Sequence, residues 1–181
     1  MCDITLDMLV KEIANATKKS FIELFANGER YYYCTLVTTG EAYRPFIVAW
    51  SIEALAREVE KSKNATEKSI KWSYADSPYL GFNDKNFQIV DELFNLLPQM
   101  DDMYADDDEL DEQYEFRLLA MELALKQVDD DGIFALNQPR SEVYINVEVM
   151  PPDETNTLRA LRLNKPEHIV EWLDKIAEKG A

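Results

Sequence analysis

At 181 residues, with 46% hydrophobic and 11% aromatic side chains, the chain is long enough to bury a sizeable core and too apolar to be disordered. Its 35 acidic residues against 19 basic ones give a formal net charge of -16, a field that repels phosphate backbones. The basic residues are scattered rather than gathered on one face, so direct nucleic-acid binding is not expected and a basic protein is the partner the charge favours.

No apolar run approaches the ~20 residues a membrane span requires, and the first residues lack the basic and apolar blocks of a secretory leader. The cysteines, Cys2 and Cys34, are too few for a disulfide framework. A cytoplasmic location without membrane attachment is expected.

Along the chain, Leu6, Leu9, Val10, Ile13, Thr17, Phe21, Leu24 and Phe25 recur at steps of three and four and predict an amphipathic first helix, stopped at Asn27-Gly28. Tyr31 to Thr38 is aromatic and β-branched and reads as a strand. After Thr39-Gly40, Phe46 to Trp50 reads as the return strand of a hairpin. Ser51 is placed to cap a second helix carrying Leu55, Ala56 and Val59, which fades at Lys61-Ser62-Lys63-Asn64.

The stretch Ile70 to Tyr79 holds Trp72, Tyr74 and Tyr79 with no helical or strand period. It reads either as a loop pinned to the core by its rings or as the wall of a site. Asn83 or Asp84 then opens a third helix bearing Phe87, Val90, Phe94 and Leu97, with Pro98 as its end. An acidic run from Asp101 to Glu112 leads into the longest periodic segment. Leu110, Tyr114, Leu118, Met121, Leu125 and Val128 form one ridge there, and Phe116, Leu119 and Leu123 a second. Two ridges predict a central helix covered on most of its surface. Asp129-Asp130-Asp131-Gly132 terminates it.

Val143, Ile145, Val147 and Val149 alternate with Glu142, Tyr144, Asn146 and Glu148, which predicts a strand with one wet face. Leu158 to Leu163 is ambiguous between strand and irregular structure. Asn164, with Glu167 three residues on, reads as the capping pair of a last helix whose core face is Ile169, Trp172, Leu173 and Ile176. The expected fold is one α+β domain over residues 1–181: a small antiparallel sheet, made of the N-terminal hairpin plus a C-terminal strand or strands, covered by about five helices.

Four motifs stand in order along this plan: Tyr31-Tyr32-Tyr33, Trp72-Ser73-Tyr74-Ala75-Asp76, Asp129-Asp130-Asp131-Gly132-Ile133-Phe134 and Leu163-Asn164-Lys165-Pro166. Together they resemble, over nearly the whole chain, a bacterial family filed as domain of unknown function 4303. That family often has Pro after the Trp-Ser pair and a second Trp before the next Pro, where this chain has Tyr74 and Ser77. The resemblance implies a fold and a bacterial origin. It brings no catalytic residue with it.

The aromatic centre is the foremost site candidate: Trp72, Ser73, Tyr74, Asp76 and Tyr79 offer stacking surface with a few polar groups. The acidic run adds Tyr104, Asp106, Asp107 and Asp108 as a surface for a basic partner. No calcium loop fits this run, since position five from Asp106 is Leu110 and no central Gly follows. One histidine, His168, with two distant cysteines makes no zinc site of usual composition, and no phosphate-cradling Gly-rich loop is present, so neither metal nor cofactor is expected. His168 reads as a surface helix residue and Cys34 as a small buried hydrophobe.

These observations favour a non-catalytic, acidic protein-interaction module, of which an immunity-type protein masking a basic toxin domain is one form. The alternative is a carboxylate- or metal-dependent hydrolase with its pocket at Trp72–Tyr79. A deep pocket holding a carboxylate desolvated by the rings would favour the enzyme, and a flat acidic face with exposed aromatics would favour binding.

Overall fold

The computed structural model describes residues 4–62, 65–101 and 106–178. The expectations for Cys2, for the fade at Lys63-Asn64 and for Tyr104 lie outside the described residues. The first periodic segment becomes α1 (Leu6–Phe25), capped by the Thr5 hydroxyl, which accepts from the Met8 amide. The hairpin follows as β1 (Tyr31–Thr39) and β2 (Phe46–Ser51), and the Ser51 hydroxyl caps α2 (Ile52–Lys61) as expected.

A four-residue helix, α3 (Glu67–Ile70), leads into the central aromatic segment. The third predicted helix is a 3-10 turn at Asp84–Phe87 running into α4 (Gln88–Phe94), ending four residues before Pro98. The long helix is α5 (Asp107–Asp130), closed by Gly132 at φ +76, the left-handed conformation that glycine adopts without steric cost. Then come β3 (Tyr144–Met150), α6 (Glu154–Leu163) and α7 (Val170–Lys175). Among the described residues no helix is long and apolar enough to cross a membrane.

The fold is α+β, but its sheet is mixed, in the order β2-β1-β3, rather than antiparallel as expected. β1 pairs antiparallel with β2 and parallel with β3, with Tyr33 opposite Tyr144 and Val37 opposite Glu148. The parallel pairing is possible because the crossover from β2 to β3 carries α2 to α5, far more chain than a hairpin turn.

One sheet face, made of Cys34, Leu36, Ile47, Ala49, Ile145, Val147 and Val149, packs on Leu9, Ile13 and Phe21 of α1 and on Leu118, Met121 and Leu125 of α5. α5 is central, yet its second ridge is only partly covered: Phe116 packs against the core, while Leu119 and Leu123 are exposed because the packing uses the Leu118–Met121–Leu125 stripe.

The opposite face corrects the expectation of a wet side on β3. Tyr144, Asn146 and Glu148 are all buried, under α7 and the central segment. Sequence alternation showed their polarity; much of it is answered by hydrogen bonds, Glu148 accepting from the Tyr33 and Tyr144 hydroxyls and the Asn146 amide donating to the Tyr144 hydroxyl and the Asn156 carbonyl.

Both sheet edges are covered by hydrogen bonds from neighbouring segments, as an exposed ladder of N–H and C=O groups must be managed. Along β2, the Ser77 hydroxyl donates to the Ala49 carbonyl (2.5 Å) and the Gly81 amide donates to the Ile47 carbonyl (2.9 Å). Along β3 the work falls to α6 and the residue after it. Asn156 holds the amide and carbonyl of Val149, Arg159 donates to the carbonyl of Val147, and Asn164 holds both polar groups of Ile145. Eight helical residues rise about 12 Å and four strand residues about 13 Å, so the two ladders keep step.

Leu158–Leu163 is therefore a helix, and its reading was ambiguous because its inward face is polar: Asn156 and Arg159 are buried while Leu158 and Leu161 are exposed. Asn164 is a C-terminal staple and not the cap of the last helix, since its side chain is spent on Ile145, Ala160 and Arg140.

Candidate functional site

The sheet face under α7 builds an aromatic stack. Tyr33 and Tyr144, neighbours in the β1–β3 register, stack with centroids 5.6 Å apart, and Tyr144 stacks in turn on Trp172 of α7 at 4.7 Å. Trp72 meets this stack edge-on, at 6.0 Å from Tyr144, 6.2 Å from Tyr33 and 5.3 Å from Tyr32. Edge-on and offset contacts suit the ring quadrupoles. Trp72 is held in place by its own chain: the Ser73 carbonyl accepts from the Trp50 indole (2.8 Å), and the Lys71 carbonyl accepts from the Tyr32 hydroxyl (2.6 Å).

Two concavities share Trp72 and Trp172. The larger encloses about 660 Å³ between these rings, Tyr32 and Tyr144 on one side and Ile52, Leu55 and Val59 of α2 on the other. Its rim carries Glu60, Glu67, Glu142 and Glu171 against Lys71 and His168. Lys71 is already engaged: its ammonium lies 5.5 Å from the Trp72 ring centre and 5.7 Å from that of Tyr32, and both Glu171 oxygens accept from it at 3.0 and 2.9 Å. Lys175 and Lys71 together hold the Glu171 carboxyl below its ordinary range. Among the described residues, Glu60 and Glu142 have no ion-pair partner. His168 is exposed at the mouth, as a surface residue.

The smaller recess, about 230 Å³, is lined by Trp72, Ser73, Tyr74, Met150, Asn156 and Trp172, with Glu148 among them. Glu148 is 6% exposed. Its two oxygens accept from the Tyr33 hydroxyl at 2.6 Å and the Tyr144 hydroxyl at 3.0 Å. Burial pushes this carboxyl up to about 7, against the lowering effect of the two phenols and of Arg159. The same burial, with the Glu148 charge beside them, raises both phenols above the ordinary tyrosine value. The indole N–H groups of Trp72 and Trp172 are buried with no acceptor among the described residues.

The residues singled out in the sequence separate on folding. Trp72, Ser73 and Tyr74 line the recess, and Trp72 also walls the larger cavity. Asp76 is exposed on a turn, its amide donating to the Ser73 hydroxyl at 3.3 Å. Tyr79 belongs to another network: it donates to Glu29 (2.6 Å) and accepts from Arg57 (3.0 Å). Burial pushes the Glu29 carboxyl up, but hydrogen bonds from Arg57, Ser51 and Tyr79 outweigh it and hold the group below its ordinary range. Asp106, Asp107 and Asp108 begin α5, where the Asp106 carboxylate accepts from the Asp108 amide (3.0 Å), and none of the three lines either concavity.

Sequence reasoning missed Glu148, Tyr144, Lys71 and the part Trp172 plays in the wall. The signal was the shared parity of Tyr144, Asn146 and Glu148, which becomes informative only once β3 is known to lie parallel to Tyr33. Cys34 is buried with its thiol pushed up by desolvation, on the opposite sheet face from these rings. Among the described residues no cluster of His, Cys, Asp and Glu is placed to hold a metal ion.

No curated protein and no solved structure matches the chain. Residues 13–165 match the model of a family described as Domain of unknown function (DUF4303), and because that span takes in most of the chain, the protein belongs to this family.

Proposed function

We propose that the protein is a non-catalytic interaction module that holds a basic protein partner, an immunity-type role being its most concrete form, and that the partner docks at the larger aromatic cavity. The observation that carries this reading is the pairing of an aromatic and aliphatic interior with a rim on which Glu60 and Glu142 stand without ion pairs among the described residues, in a chain of net charge -16. Ile52, 46% exposed at the start of α2, extends the apolar wall outward. Tryptophan and tyrosine anchors surrounded by charge are the usual composition of an interface whose affinity is concentrated in a few residues.

The test uses the basic product of a neighbouring gene, purified and titrated by calorimetry. The Glu60→Lys, Glu142→Lys double substitution is expected to weaken binding at least tenfold, while Asp7→Lys on α1 leaves it within twofold. Failure of any basic neighbour to bind, or an unchanged affinity in the double variant, overturns the reading.

One observation favours a second reading, a carboxylate-dependent hydrolase: Glu148 lies in an aromatic recess with its carboxyl pushed up to about 7, in the range a general acid–base needs near neutral pH. Turnover of chromogenic esters, phosphoesters or glycosides that disappears in Glu148→Gln would establish it.

A further inference from the structure

Glu148 is a buried acid without a counter-ion. Among the described residues no Lys or Arg lies within ion-pair distance of it. Arg159, the cation whose field it feels, spends its guanidinium on the Val147 carbonyl (2.8 Å) and the Asn156 side-chain oxygen (2.6 Å). A carboxylate offers about four lone-pair sites, and the phenols of Tyr33 and Tyr144 use two. The remaining capacity is adjacent to the 230 Å³ recess, whose other walls include the rings of Trp72, Tyr74 and Trp172 and the thioether of Met150, with the exposed Glu178 carboxylate at its edge. A buried charge left unpaired is costly, so its retention beside an electron-rich concavity calls for a function.

The other side of Trp72 shows the same combination already filled. There, aromatic rings (Trp72 and Tyr32), carboxylates (Glu171 and Glu67) and an ammonium (Lys71) occupy one site. The recess has the rings and the carboxylate, and its volume lies below the ~300–1,000 Å³ of sites for whole drug-sized ligands. That size suits the head of a single side chain. A divalent metal would need several oxygen ligands, whereas one buried carboxylate flanked by rings, with a second, exposed one at the edge, suits an organic monocation.

The geometry points to the Trp72–Trp172 recess as a receptor for one alkylammonium or guanidinium group, a lysine or arginine side chain of the basic partner, with Glu148 as its counter-ion. This inference rests on the interaction-module reading and names the chemistry of the partner's anchoring residue. Insertion of the cation and ionisation of Glu148 are linked, so binding releases a proton wherever the free acid is protonated. The groups that act on Glu148 in this linkage are Tyr33 on β1, Tyr144 on β3 and Arg159 on α6, and Tyr74 in the central segment and Glu178 after α7 line the same recess.

The experiment titrates the full chain with n-butylammonium and n-butylguanidinium chloride at constant ionic strength, read by the Trp72 and Trp172 indole resonances, with n-butanol as the neutral control. A carboxyl at about 7 is roughly 90% ionised at pH 8 and 10% at pH 6, so the cations are expected to bind about ninefold more weakly at pH 6. Butanol should show no such change. Glu148→Gln, which keeps the side-chain volume, should remove both the preference for cations over butanol and its pH dependence. Trp172→Leu should reduce the preference while leaving its pH dependence.

Saturable binding of butanol equal to that of the cations, a cation affinity unchanged in Glu148→Gln, or no saturable binding of any probe overturns the proposal. A basic partner that still binds Glu148→Gln with parental affinity removes the recess from the interface and leaves the interaction reading standing. Cation binding in the recess with no partner at the Glu60–Glu142 rim does the reverse.

Discussion

The two faces of the three-stranded sheet are equally buried and chemically opposite. Toward α1 and α5 the sheet presents Cys34, Leu36, Ile145 and Val147, which need only be packed. Toward α7 and the central segment it presents Tyr33, Thr35, Tyr144, Asn146 and Glu148, whose polar atoms must find partners one by one. Among the described residues the Asn146 side-chain oxygen and the Trp72 and Trp172 indole N–H groups are buried without a partner, as are Thr17 Oγ1 of α1 and Gln113 Oε1 and Arg117 Nε of α5 on the other side of the sheet. Each such group costs roughly 1–3 kcal/mol where no water reaches it. A fold that needed only stability could fill this face with valine and leucine, as the other face is filled. Both faces carry buried apolar clusters, the second through Val37, Val48 and Trp50, but only the second also builds a shaped, charged site into its cluster.

The contrast is broken most directly by removing one ring from each side. Phe21, fully buried between Phe25 and Phe134, should lose about 3–5 kcal/mol as Phe21→Ala, the range for large core truncations, and the domain should lose most of its melting transition. Trp72 is only half-buried, and its truncation also removes an unsatisfied indole N–H, so Trp72→Ala should cost about 2 kcal/mol. Urea unfolding of both variants measures the difference. If Trp72→Ala were the more damaging of the two, the Trp72 ring would be a structural anchor of the second cluster and the site reading would lose its footing.

How much of this was legible in the sequence follows the same division. α1 and α5 were legible because periods of 3.6 residues need no knowledge of the partner, and the ends at Ser51 and Gly132 because caps are local. The direction of β3 was not, since nothing in Tyr144–Met150 encodes which side of β1 it joins. The polar positions of β3 and α6 misled for a related reason. Alternation tells which residues share a face, but not whether water or other side chains satisfy them. Glu148 among tyrosines and Arg159 on a strand edge therefore look the same in sequence as solvated residues. Of the candidate site, the central Trp72-Ser73-Tyr74 wall was legible from its aromatic content, while its charged floor came from a strand seventy residues away.

The cost of the second face has a pH signature. The Glu148 carboxyl rises from its ordinary value of 4.5 to about 7 on folding, so the folded protein binds the proton more tightly than the unfolded chain does. Stability from this group is fully present below about 4.5 and is lost as pH rises through about 7. Glu148→Gln has no such proton to lose. The variant should be more stable than the parent at pH 8, on the order of 1–3 kcal/mol, with the gap closing by pH 5. Denaturant unfolding of both proteins at the two pH values separates the effect of this carboxyl from that of every other titrating group. A parent that gains on the variant as pH rises would mean that the ionised carboxylate is well satisfied, and the two faces would then differ in composition but not in strain.

The smallest expected effect lies on neither face. Asp106, Asp107 and Asp108 begin α5 outside both concavities, all exposed, so they supply field and not contact. Substituting all three with Asn keeps an Asn at the helix cap, where it serves nearly as well as Asp, and removes exposed charges that in screening salt each favour a helix N-terminus by only about 0.3 kcal/mol, the low end of their range. Stability should therefore fall by less than about 1 kcal/mol. Association with a basic partner should respond more, because exposed charge steers encounter over distances that physiological salt screens beyond ~8 Å. The parent should bind markedly faster at low salt than at high salt, and the triple variant should flatten that dependence while leaving dissociation nearly unchanged. Stopped-flow mixing across a salt series reads both rates. Glu60 and Glu142, at the cavity rim, should instead change dissociation when replaced. A triple variant that dissociates faster than the parent would place the start of α5 inside the interface and move the partner off the aromatic face.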